Sequence, residues 1–173
     1  MITRREMLRW VAVTHVGVCV PVPFMKFAYS QPLLIDDLEE LTAAHPILVS
    51  DDDSELVELY QRVLERIALL HTIGTTDARH TLQLSVEVPV SLVISDIMKP
   101  MMNGIEMLRQ MRANPRTRDV PFLFVSACSN YNLRGEAKRL GADGYLVKPI
   151  FPRELFGEVR RLLMERYRKV IRN

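Results

Sequence analysis

Cysteine is scarce in this chain: Cys19 and Cys128 are the two among 173 residues. Two thiols cannot build a disulfide framework and are too few for a structural zinc site, so the sequence is compatible with a reducing compartment. A strong charge of one sign is missing as well. The formal net charge of +2 does not by itself argue for nucleic acid, although residues 153–173 hold seven Arg or Lys against three Glu. Long apolar runs are also lacking. The uncharged stretch 10–25 is shorter than the ~20 residues of a spanning helix, and Pro21 and Pro23 interrupt it. Low-complexity segments and long-period repeats are absent. What remains, 48% hydrophobic and 25% charged, is the composition of a globular protein, and the length favours one domain with appendages.

The first thirty residues stand apart. "TRREMLRW" supplies Arg4, Arg5 and Arg9 ahead of an apolar region, with small residues at Ala28 and Ser30. This pattern resembles a twin-arginine export signal; the alternatives are a stray extension or an over-early start, with Met25-Lys26 as a second start. Residues 31–46 suit one short amphipathic helix, and Pro46 marks the entry to the first strand. The expected organisation is an N-terminal extension over 1–45, a domain over 46–168 and a basic tail over 169–173.

From residue 47 the pattern becomes regular. Short apolar runs at 47–50, 71–73, 91–95, 122–125 and 145–147 alternate with segments of helical spacing. Leu56, Tyr60, Val63, Leu64 and Ile67 share one helix face; Ile105, Leu108 and Arg112 share another, flanked by Met107 and Met111; Leu155, Val159, Leu162 and Leu163 share a third. Asn103 with Glu106 is spaced as a capping box, Asp53 or Ser54 suits an N-cap, and Pro152 suits a first helical turn. Continuous apolar strands between helices predict an α/β fold: a doubly wound, five-stranded parallel sheet covered on both faces.

Ligands of such sheets bind beyond the carboxyl ends of the strands. The first run delivers Asp51 and Asp52 there, the third Asp96, the fourth Ser126 and the fifth Lys148. Close carboxylates raise one another's pKa values unless a cation joins them. Lys148 brings one charge; a hard divalent ion brings two and prefers oxygen ligands, with Mg²⁺ taking one or two carboxylates and phosphate oxygens. The cluster therefore points to Mg²⁺ and a phosphoryl group.

These residues resemble the receiver domain of two-component response regulators, single-domain type, over almost all of 45–166, which implies that the doubly wound sheet is flavodoxin-like. The acidic pair follows "ILVS", Asp96 opens "DIMKPMMNG", Ser126-Ala127 follows the fourth strand after "NPRTRDVPFLFVSA", and "GADGYLVKP" carries Tyr145 and Lys148. The resemblance implies that Asp96 is the phosphoacceptor and that Asp52 and Asp96 ligate Mg²⁺, with Asp51 assisting directly or through water and Met98 offering its backbone carbonyl. It also implies that Lys148, joined to Pro149 by a cis bond, pairs with Asp96 or its phosphoryl oxygens. Ser126 would hydrogen-bond the phosphoryl group and Tyr145 would act as the switch. Three positions depart from the family pattern: Ser50 replaces an apolar residue, Lys99 stands where Met is common, and Asn103 replaces Asp. None removes a catalytic group, but Lys99 alters the field in which a metal would bind.

The expected function is a cytoplasmic phosphorylation switch in a phosphorelay, not an enzyme in the ordinary sense, although it promotes its own phosphorylation and dephosphorylation. Its implied partners are a sensor histidine kinase or phosphotransfer protein, an unknown downstream protein, and a second copy through the domain's fourth helix, fifth strand and fifth helix. Neither a nucleic-acid-binding domain nor a membrane is expected, since "RYRKVIRN" alone follows the core of the last helix. The alternative is a phosphohydrolase resembling the haloacid dehalogenase superfamily, in which Asp51 attacks and Asp53 is the acid/base. Against it, Glu55 sits where Thr or Val is expected and the late acidic pair is missing.

Overall fold

The computed structural model describes residues 35–128 and 131–172; the twin-arginine-like segment and Cys19 lie outside them. The elements run α1 (Ile35–Ala44), β1 (Ile47–Ser50), α2 (Ser54–Ala68), β2 (Thr72–Thr75), α3 (Ala78–Glu87), β3 (Leu92–Ser95), α4 (Gly104–Ala113), β4 (Phe122–Ser126), α5 (Tyr131–Arg139), β5 (Gly144–Val147) and α6 (Pro152–Arg172). The five strands are parallel, in the order β2-β1-β3-β4-β5. The doubly wound sheet expected from the sequence is present, with each strand within two residues of its predicted bounds.

Parallel strands alternate their side chains between two covered faces, so every residue of the central strands is buried. On one face Ile47, Val49, Leu92, Ile94, Leu123 and Val125 pack with α2 and α6. On the other, Leu48, Val93, Phe122 and Phe124 pack with α4 and with Ala78 and Ala137 of α3 and α5. The edge strands β2 and β5 are only partly buried.

Two helix faces differ from their predicted composition. In α2 the buried stripe is Val57, Tyr60, Val63, Leu64 and Ala68, whereas Ile67 is 61% exposed. The stripe drifts around the helix with the 3.6-residue period, and a small Ala meets the sheet where the longer Ile was expected. In α4, Met107 and Met111 are core residues rather than flanks, alongside Ile105 and Leu108. Caps follow the sequence signals more closely. Asp53 accepts from the N–H groups of Glu55 and Leu56, Pro152 opens α6, and Asn103 accepts from the N–H of Glu106 at 2.8 Å. The Glu106 carboxylate turns to Arg109 and Gln110.

The expected short helix before the domain is α1, and it docks on the domain. Leu38 is buried in the cluster that contains α2 and α6. The Thr42 hydroxyl donates to the Leu38 carbonyl at 2.9 Å and accepts the His71 N–H at 3.0 Å, tying α1 to the entry of β2. At the other end of the chain α6 continues helical through Arg172, taking most of the expected basic tail with it. Among the described residues no helix is long and apolar enough to cross a membrane.

Candidate functional site

The strand order reverses direction between β1 and β3, which places a crevice where their carboxyl ends adjoin. Ser50 and Ser95 are register partners as the last residues of these strands, so the next residue of each, Asp51 and Asp96, enters the crevice side by side. Asp52 joins them. One carboxylate oxygen from each of Asp51, Asp52 and Asp96 lies within 4.8 Å of the others. Asp51 and Asp96 are buried and Asp52 is exposed. Gly104 is required by the same packing: a Cβ there would lie 2.3 Å from the Asp96 carbonyl oxygen and 2.8 Å from the Phe124 ring.

Lys148 arrives from the end of β5, and the preceding Ser126 carbonyl accepts its backbone N–H at 2.9 Å. Its ammonium donates to Asp51 Oδ2 at 2.7 Å and to Asp96 Oδ2 at 3.3 Å. The Lys148–Pro149 bond is cis, as the family resemblance implied. Asp96 Oδ1 accepts the Ile97 N–H at 2.6 Å, and Asp51 Oδ1 accepts the Asp53 N–H at 3.2 Å.

Burial pushes the Asp51 carboxyl up, and the Lys148 hydrogen bond and charge only partly offset that rise. For Lys148, burial pulls the ammonium down, but the Asp51 hydrogen bond and the charges of Asp51 and Asp96 outweigh it and leave the pKa above the usual lysine value. Lys148 contacts Asp51 and Asp96 directly and leaves Asp52 exposed beside them, so the cluster still has room for another cation. Three convergent carboxylate oxygens are a hard donor set that fits a divalent ion such as Mg²⁺.

Ser126 is fully buried at the end of β4, and its hydroxyl accepts the Cys128 N–H at 3.4 Å. Tyr145, half-buried on β5, donates its hydroxyl to the Cys128 carbonyl at 2.5 Å. Its ring lies 6.1 Å from Phe124, with the Arg134 guanidinium 5.6 Å from its centroid. The ring thus lies against the loop that comes after Ser126. Met98 is 62% exposed on the β3–α4 loop. The structure brings Asp51, Asp52, Asp96 and Lys148 together at the carboxyl edge, with Ser126 at the end of the adjoining strand β4. Asp53 follows Asp52 directly, but its carboxylate caps α2 by accepting from the Glu55 and Leu56 N–H groups, the N-cap role read from the sequence, which lends no support to the acid/base role of the phosphohydrolase alternative.

The sequence did not disclose what lies beneath the carboxylates. Lys99 is only 8% exposed and donates to the hydroxyls of Ser50 at 2.6 Å and Ser95 at 2.9 Å. Ser50 also accepts from Thr81 at 2.8 Å, and Thr81 shares a short hydrogen bond with Thr75. Burial pulls the Lys99 ammonium down to about 8, against the attraction of Asp51, Asp96, Asp52 and Asp77. Ser50 and Lys99, two separate departures from the family pattern in the sequence, form one hydrogen-bonded unit in the fold. Their simultaneous polarity at positions that usually carry apolar side chains was the available signal.

A doubly wound parallel sheet with paired acids and a lysine at its carboxyl edge places the chain in the flavodoxin-like class of α/β domains. Comparison with known proteins narrows that class. Residues 47–160 match the model of the response regulator receiver domain. The transcriptional regulatory protein GltR of Pseudomonas aeruginosa is 35% identical over 117 residues, 68% of this chain and 48% of that protein. The response regulator SaeR of Staphylococcus aureus is 30% identical over 123 residues, 70% of this chain and 52% of its own. The chain thus spans about half the length of these curated relatives. The chemotaxis protein CheY4 of Vibrio cholerae superposes with a TM-score of 0.64 at 25% identity, covering 67% of this chain and 96% of that one. The chain belongs to the response regulator receiver domain family. No comparison supports a haloacid-dehalogenase-like hydrolase.

Proposed function

We propose that the domain is a Mg²⁺-dependent phosphorylation switch with Asp96 as phosphoacceptor. The observation that carries this reading is the meeting of Asp51, Asp52 and Asp96 oxygens within 4.8 Å, with Lys148 bridging Asp51 and Asp96. The donor is the phosphohistidine of a sensor histidine kinase or phosphotransfer protein. An Asp96 carboxylate oxygen attacks phosphorus in line, the P–N bond breaks, and the imidazole keeps the electron pair and takes up a proton. Asp52 and Asp96, assisted by Asp51 and the Met98 carbonyl, would hold Mg²⁺, which when bound neutralises charge on the transferring oxygens. Lys148, which contacts Asp96 Oδ2, would supply a second positive charge to those oxygens. Ser126 then donates to a phosphoryl oxygen.

Movement of Ser126 changes the loop that carries Cys128, whose carbonyl anchors the Tyr145 hydroxyl. Tyr145 thereby reports the state of Asp96 to the surface of α5, β5 and α6, the domain's fourth helix, fifth strand and fifth helix, where a downstream protein or a second copy docks. The domain signals rather than turning over a substrate, and its dependence on an ATP-using kinase supports a cytoplasmic location.

The test is labelling by a small phosphodonor in Mg²⁺. Asp96→Asn should take up no acid-stable, base-labile phosphate, and chelation should abolish labelling of the native chain. Undiminished labelling of Asp96→Asn overturns the assignment.

A further inference from the structure

Lys99 is a cation with no part in the phosphoryl transfer proposed for this site. It is held by the two residues that precede the acids: its Nζ is 2.6 Å from Ser50 Oγ and 2.9 Å from Ser95 Oγ. Those two serines are register partners, and Asp51 and Asp96 are their immediate successors. A buried ammonium is costly unless something compensates it. Here two neutral hydroxyls solvate it, and the carboxylates of Asp51, Asp96 and Asp52 attract it. Lys148 approaches the same carboxylates by direct contact. The cluster of three acids thus faces two resident ammonium groups before any metal enters.

We infer that Lys99 is a built-in counter-cation of the acidic site, weakening its affinity for Mg²⁺ and setting the Mg²⁺ concentration at which the switch can be charged. This rests on the metal reading of Asp51, Asp52 and Asp96. A unit positive charge near these carboxylates repels a divalent ion bound on them, and the burial of Lys99 leaves that repulsion poorly screened. Removing the charge should therefore tighten Mg²⁺ binding. A role confined to bracing the strand ends predicts the opposite sign, because releasing Ser50 and Ser95 would loosen the carboxylates and weaken binding.

Lys99→Met is a fair probe, since neither serine loses all its partners. Ser50 keeps the Thr81 hydroxyl, and Ser95 still donates to the Asp96 carbonyl at 2.7 Å. Lys99→Gln gives a second neutral side chain, one that can still donate to a serine, and Lys99→Arg retains the charge. Mg²⁺ alone would be titrated calorimetrically into the full chain of each variant, after thermal melts have shown it folded, with Mn²⁺ binding followed by electron paramagnetic resonance as an independent count of bound ion. The expected result is a dissociation constant lower on the order of tenfold in Lys99→Met and Lys99→Gln, and close to native in Lys99→Arg. Equal or weaker binding in the neutral variants, with binding lost in Asp52→Asn, overturns the counter-cation role and leaves the metal site standing. Native-like binding in Asp52→Asn overturns both.

Discussion

At the scale of single residues, the charge state of Lys99 has a consequence for stability as well. Its folded-state pKa, pulled down to about 8, lies below the ordinary lysine value of 10.5. Between those values the unfolded chain binds more protons than the folded one, so this residue makes stability rise with pH across that window. Below it the buried charge costs roughly 3 kcal/mol, at about 1.4 kcal/mol for each pH unit of displacement. In metal-free buffer, the stability of Lys99→Met relative to the native chain should therefore be greatest near neutral pH and shrink as pH approaches 10. Urea melts of both proteins across that range check it, and a constant difference would show that burial of the charge costs nothing. A second residue-scale prediction concerns the lifetime of the phosphorylated state. With Asp96 as the proposed phosphoacceptor and Ser126 as the strand-four hydroxyl, the family resemblance implies that the side chains two residues after each, Met98 and Cys128, border the approach of the hydrolytic water. Met98 has no donor, and Cys128, a free thiol, is a poor hydrogen-bonding group. Neither orients water as an amide or carboxylate does, so self-dephosphorylation should be slow. Met98→Asn with Cys128→Glu should shorten the lifetime by roughly one to two orders of magnitude, read from decay of label after removal of phosphodonor at constant Mg²⁺.

At the scale of elements, α1 is the addition to the five-stranded domain. Leu38 is 1% exposed among α2 and α6 side chains, so Leu38→Ala removes a buried side chain from a packed cluster and should cost about 2–5 kcal/mol, seen as a lower urea midpoint. If the midpoint is unchanged, α1 contributes nothing to the fold. Element type and order were legible in the sequence because apolar runs four or five residues long can be buried on both faces only as parallel strands between helices. The carboxyl-edge site was legible for the same reason: strand ends are easy to locate, and a parallel sheet puts them all on one edge. Which residues face the core within a helix was less legible. Ile67 and Ala68 are adjacent, and the one that turns inward depends on the phase of α2 against the sheet, which a local apolar pattern does not set. Lys99 was hidden for a different reason. Lysine before a proline reads as a solvated loop residue, and its burial depends on a hydroxyl 49 residues away in the chain.

At the scale of the whole molecule, the ion pairs of the site join distant parts of the chain. Lys148 meets Asp51 across 97 residues and Asp96 across 52. Each partner stands on a different strand, and β5 reaches β1 only through β4 and β3. The crevice therefore exists only when four of the five strands are in register. Folding must close those long loops before any contact in the site can repay their entropy, so the site is expected among the last parts of the molecule to assemble. A ligand that recognises only the completed crevice stabilises the native state while leaving the folding transition state untouched. In stopped-flow experiments, saturating Mg²⁺ should slow unfolding in denaturant and leave the refolding rate in dilute buffer unchanged. For this chain, metal occupancy would act as a latch on the way out of the native state, making the charged switch longer-lived against local opening and proteolysis without making it any quicker to form.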